Sequence, residues 1–107
     1  MKERLLLYYD GESYLVELVQ SNYVDNNNLY LGLFDPQNGP FGDLTVNIKD
    51  LPYNQAAVNV NNGPWVEQFI KLHNLGEPTG LMLQSGFCTY PIYQFDMKRI
   101  EEFTKEY

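Results

Sequence analysis

The sequence holds one cysteine, one histidine and one tryptophan in 107 residues. A single thiol excludes an intrachain disulfide and a cysteine-based zinc cage. A single histidine excludes the His-x-x-x-His pair that most helix-borne zinc sites need. No run of roughly 18 apolar residues exists, so no membrane-spanning helix is expected. The apolar stretch between Lys2 and Asp10 is too short for a signal peptide, and a cytoplasmic protein is expected. Basic residues are scarce, seven Lys and Arg against fourteen Asp and Glu, for a net charge of −7. Phosphate contact needs clustered bases, so direct nucleic-acid binding is not expected. No glycine-rich loop followed by Lys offers a phosphate cradle.

What is present is aromatic: nine Tyr, six Phe and one Trp. Rings burying roughly 150–250 Å² each let a short chain build a core. The length suits one domain, taken as residues 1–107. The first half reads as strands at Leu5–Tyr9, Tyr14–Val19, Leu29–Phe34, Leu44–Ile48 and Ala56–Val60. Asp10-Gly11 is a hairpin turn signal. Asp25-Asn26-Asn27-Asn28 tolerates left-handed backbone and marks another turn. The segment from Asp35 to Pro40 reads as a break. Trp65, Phe69 and Leu72, with Val66 and Ile70 beside them, form a stripe at helical spacing behind the cap residues Asn61 and Asn62 and before Gly76 and Pro78. Gly80 to Phe95 reads as a loop and a short strand. Asp96 caps a second helix running from Met97 to about Glu106. The expected fold is α+β, an antiparallel sheet of about five strands with two helices packed on it.

Charge is unevenly spread. From Leu5 to Ile48 the chain has six acids, Asp10, Glu12, Glu17, Asp25, Asp35 and Asp43, and no base. A long single-sign stretch sets up a field that steers a basic partner, and also keeps a protein soluble. These six acids are the candidate partner-binding residues, with Tyr90 and Tyr93 as aromatic anchors. The eleven Asn residues fit turns first and recognition second.

Catalytic chemistry finds little footing. A Cys/His dyad would have to join Cys88 to His73 and find a third orienting group. Cys88, flanked by Phe87 and Thr89, reads as a small buried hydrophobe, and His73 as a partner of helix-end carbonyls. Ser85 lacks the Gly-x-Ser-x-Gly elbow. Asp25 and its three Asn neighbours lack the Gly and distal Glu of a calcium loop. No catalytic residue, metal site or cofactor is expected, and a hydrolase using Cys88 or Ser85 is the remote alternative.

Three segments together carry a resemblance: Leu44-Thr45-Val46-Asn47, Asn59-Val60-Asn61-Asn62, and Thr79-Gly80 followed by Ser85-Gly86-Phe87-Cys88-Thr89-Tyr90-Pro91-Ile92-Tyr93. Over nearly the whole chain the sequence resembles a family of small domains of unknown function. Members of that family are encoded on conjugative elements, plasmids and phages of Gram-positive and gut bacteria. The Ser-Gly-Phe-Cys-Thr-Tyr-Pro run is its most specific part. The sequence departs from the family pattern at Asn59-Val60-Asn61, where Asp-Thr-Asn is usual, which removes a carboxylate. The resemblance implies a genomic setting and no activity. Joined to the acidic stretch, it suggests an inhibitor of host defence, most concretely an anti-CRISPR protein filling the basic groove of a Cas nuclease. The alternative is an accessory or regulatory module of a conjugative element that binds a relaxase, a transcription factor or its own copy, the last through an edge strand near Tyr90 to Phe95.

Overall fold

A computed structural model describes residues 2–106. It is α+β, as expected, and mostly sheet. The first four strands form an antiparallel meander in chain order: β1 (Leu5–Tyr9), β2 (Glu12–Asn22), β3 (Leu29–Asp35) and β4 (Gly39–Asp43). Asp10 and Gly11 make the first turn, both in the left-handed region with φ of 52° and 77°, the geometry a two-residue hairpin wants. The segment from Asp35 to Pro40 does not end the sheet. It turns tightly and returns as β4, where Pro40 is tolerated because β4 is an edge strand.

The second sheet holds β5 (Thr45–Val46), β6 (Gln55–Val58), β7 (Gly76–Ser85) and β8 (Cys88–Phe95), in the order β5-β6-β8-β7. The loop and short strand expected after Gly80 are therefore a long hairpin. Its Ser85↔Cys88 pair leaves Gly86 and Phe87 as the turn. β8 is interior where Ile92–Gln94 pair with β6, so of the exposed edge expected at Tyr90 to Phe95 only Tyr90 and Pro91 lie free of β6, and the full-length edge of this sheet is β7.

Leu44 joins the two sheets. Its N–H donates to the Leu31 carbonyl at 2.8 Å, and its carbonyl accepts from Asn59 N–H at 2.8 Å. The expected strand Leu44–Ile48 shortens to Thr45–Val46, because the corner uses up Leu44 and the chain past Val46 is held by side chains rather than by a ladder. Next to it, buried Thr45 presents Oγ1 to Leu31 N–H at 3.2 Å and to the Tyr23 hydroxyl at 3.1 Å. Asn28 then ties down the chain beyond the corner. Its Nδ2 donates to Asn47 Oδ1 at 3.0 Å and to the Lys49 carbonyl at 2.7 Å, and its Oδ1 accepts from Leu51 N–H at 3.2 Å. Asn26 adds a second bond to Asn47 Oδ1.

Two helices pack against the sheets. α1 (Trp65–Leu72) buries Trp65, Val66, Phe69 and Ile70, and Leu72 faces solvent, off the stripe. Pro64 occupies the N-cap position without a side-chain cap, while the Asn62 carbonyl accepts from the Trp65 indole at 2.9 Å. α2 (Met97–Thr104) starts at Asp96, whose carboxylate accepts from Arg99 N–H at 3.1 Å, and it buries Ile100 and Phe103. These side chains meet Leu5, Leu7, Val16, Leu18, Leu31 and Leu33 from the first sheet and Val58, Tyr93 and Phe95 from the second. Each fully buried Leu or Ile stabilises the fold by about 1.5–3 kcal/mol. One core thus serves both sheets.

The corner yields a test. Thr45→Val keeps the shape but removes the acceptor for the buried Leu31 N–H. It is expected to cost about 1–3 kcal/mol in urea denaturation. An unchanged midpoint would show that the corner does not depend on that hydroxyl.

Candidate docking face

Strand alternation sorts the first sheet into two faces. Leu5, Leu7, Val16, Leu18, Leu31 and Leu33 point into the core. The opposite face carries Leu6 across from Leu15, Tyr8 across from Ser13, and Glu17 across from Phe34. Tyr8 is 57% exposed, Leu15 55% and Phe34 39%. These exposed apolar side chains share one sheet face with the Glu17 carboxylate. Sequence reasoning passed over Tyr8, Leu15 and Phe34. Their alternation with buried neighbours was the available signal, but it needed the parity of each strand.

Tyr30 and Asp43 finish the far side of that face. The Tyr30 hydroxyl donates to Asp43 Oδ1 at 2.7 Å, and its ring lies across Gly32. A Cβ at Gly32 would collide with that hydroxyl, so glycine is required for this close approach. Partial burial first, and the Asp43 carboxylate second, push the Tyr30 hydroxyl up to about 12.

The six candidate acids do not form one patch. Asp10 lies in the β1–β2 turn, and Glu12 beside it accepts from the Tyr14 hydroxyl at 2.8 Å. Glu17 is central on the outer face. Asp25 sits in the turn between β2 and β3, at the other end of the sheet. Asp35 is buried and committed to its own turn. It accepts from Gln37 N–H at 2.8 Å and from Asn38 Nδ2 at 2.9 Å. The Asn38 side chain and then the Gln37 amide hold its carboxyl below the usual range. Among the described residues no salt bridge joins any of the six to a base; the weak field of Arg4 at Asp35 is the nearest approach to one.

The two candidate anchors are also separated from this face. Tyr93 is 6% exposed, and its hydroxyl donates to Glu67 at the side of α1. Burial, then that hydrogen bond, raises its pKa far above the ordinary value. Tyr90 is half-buried on the β7–β8 hairpin, with Cys88 on the same face raising its pKa. The exposed ring nearby is Phe87, at the hairpin tip.

No catalytic set assembles around the remaining candidates. His73 Nε2 lies 2.7 Å from the Leu6 carbonyl, which only accepts, so Nε2 carries the proton. Its ring packs 4.7 Å from Phe69, and its own carbonyl accepts from Arg99 Nε at 3.1 Å. This residue thus ties β1, α1 and α2 together, rather than only capping its own helix. Cys88 is on the distant hairpin. Among the described residues, no group of three or more His, Cys, Asp or Glu is placed to hold a metal ion. A cavity of about 310 Å³ near Asn22, Asn26, Asn28 and Asn54 contains no carboxylate, histidine or cysteine, so it lacks a group for acid–base work at neutral pH. No helix among the described residues is long and apolar enough to cross a membrane.

A family model described as Domain of unknown function (DUF4313) matches residues 17–107, which is most of the chain. The match starts inside β2, so Asp10 and Glu12 lie outside it. No curated protein and no solved structure gives a significant match.

The two most strongly raised tyrosines, Tyr30 and Tyr93, predict an alkaline limit. A folded-state pKa above the unfolded 10.0 favours the native state below pH 10, and that contribution fades as pH rises toward the folded value. Melting temperature should hold steady up to pH 10 and fall between pH 10 and about 12. Tyr93→Phe should flatten that fall, since the variant has nothing to ionise there. An identical alkaline profile in the variant would assign the loss to other groups.

Proposed function

The chain belongs to this family of domains of unknown function, and from that premise we propose that it is a non-enzymatic inhibitor of host defence carried on a mobile element. Its most concrete form is an anti-CRISPR protein that binds a Cas nuclease and keeps nucleic acid out of its basic groove. One observation carries the reading: the base-free first sheet, whose acids form no salt bridge among the described residues. Unneutralised carboxylates spread over both ends of a sheet give a field that reaches a basic surface before contact. Contact itself falls to the outer face. There Leu15 and Phe34 flank Glu17, with Tyr8 further along the same face across from Ser13; these side chains can be desolvated, and desolvated side chains set residence time. Asp35 contributes to the field only, because its oxygens are already occupied. The mobile-element setting rests on the resemblance of the Ser85–Tyr93 run.

The reading is tested with a charge reversal. Asp10→Lys, Glu12→Lys and Glu17→Lys together replace exposed or half-exposed acids and leave the core intact. Affinity capture from host lysate at low and high salt, read by mass spectrometry, names the nuclease. Stopped-flow binding and DNA-cleavage assays then compare the proteins. Association of the triple variant should be slower by about tenfold or more at low salt, with cleavage restored. Equal association rates and equal inhibition would sink the proposal, as would capture of only conjugation proteins.

A further inference from the structure

The distal part of the β7–β8 hairpin leaves the body of the protein. β6 pairs with β8 only at Ile92, Tyr93 and Gln94. The next residue outward, Pro91, has no N–H to continue that ladder. From Met82↔Pro91 to Ser85↔Cys88 the hairpin is therefore a two-stranded ribbon. Such a ribbon is marginal in water unless a third strand or a packing surface joins it. This one also exposes apolar side chains. Leu81 is 62% exposed, Met82 55%, and Phe87 at the tip fully so.

Its charge pattern says what fits. Pro78 to Phe95 contains no charged residue, in a chain of net charge −7. A basic partner gains nothing from an uncharged arm. A second copy is repelled by acids over much of the molecule and least here. The outer edge of β7 has two unlike halves. Near the body, Pro78 and an irregular stretch up to Met82, with Gly80 at φ 89°, disturb the edge in the way natural sheets guard against pairing. Beyond it, Met82–Ser85 is regular and lacks any such guard.

We propose that the arm is a homodimerisation element. The Met82–Ser85 edge pairs antiparallel with the same edge of a second copy across a two-fold axis, turning two marginal ribbons into one four-stranded sheet. Exposed backbone N–H and C=O groups of an antiparallel edge are self-complementary, which an isologous contact requires. The Thr79–Leu81 irregularity limits pairing to the arm and keeps Glu77 of each copy apart from the contact.

The test uses the whole chain in sedimentation velocity, from low to high micromolar protein, at low and high salt. The wild type should dimerise with concentration, and more tightly at high salt, because salt screens the repulsion between copies. A complex with a basic nuclease has the opposite salt dependence, so failure of one reading is distinguishable from failure of the other. Met82→Lys with Gln84→Lys puts like charges on the edge and should weaken dimerisation about tenfold or more, with the circular dichroism spectrum unchanged. Hydrogen exchange at the Met82 and Gln84 amides, which point away from β8, should slow as wild-type concentration rises. A wild type that stays monomeric at high concentration and high salt overturns the proposal. So does a lysine variant that dimerises as well as the wild type, or exchange at those amides that ignores concentration.

Discussion

The fold depends on one change of partner at Leu44. Its amide belongs to the first sheet and its carbonyl to the second, so a single peptide-length segment transfers the chain between two hydrogen-bond ladders. A transfer of this kind leaves neighbouring backbone groups short of strand partners, and buried groups without partners are costly. The sequence around the corner supplies them from side chains. Thr45 takes the Leu31 amide, and Asn28 serves the three backbone and side-chain groups beyond it. Both residues are buried although polar, which the core tolerates because their bonds are made. With the corner fixed, the two sheets and the helices share one apolar core.

Local chemistry made some of this legible. Asp10-Gly11 announced the first hairpin, Asp96 the start of α2, and the Trp65, Val66, Phe69, Ile70 spacing the buried stripe of α1. The misread parts have a common cause. Pro40, Gly76, Pro78 and Gly80 are breakers in isolation, yet each stands in an edge strand, where a missing N–H or a left-handed residue disturbs no second neighbour. Strand position within a sheet is a long-range property, and nothing within a few residues of Pro40 encodes it. The same limit applies to the docking face. The six acids are visible as a run, but the side each takes depends on strand parity and turn geometry. Asp35 shows this best: one residue beyond Phe34, it turns inward and becomes part of a turn.

The resulting molecule separates its chemistry into two regions. Charge is concentrated in the first sheet and at the helix surfaces, while the second sheet and its arm hold an uncharged stretch ending in Phe87. The tyrosines divide by hydroxyl partner and not by region. Tyr30 and Tyr93 are tethered to carboxylates and serve the fold, whereas Tyr8 stands free on the outer face. Aromatic content alone therefore says little about recognition; the hydroxyl's partner decides it.

The strand order β5-β6-β8-β7 also bears on the route by which the chain folds. The meander from β1 to β4 joins neighbours in sequence and closes through short loops, so its ladder entails little loop-closure entropy. β6 cannot act in this way. Its partner β8 is translated only after α1 and β7, and Gln55 meets Gln94 across most of the second half of the chain. The β7–β8 hairpin, closed by two residues, is the fast element there, and β6 must wait to dock on it. On a ribosome the meander emerges with its inner leucines uncovered, and first α1 and then α2 arrive to roof them.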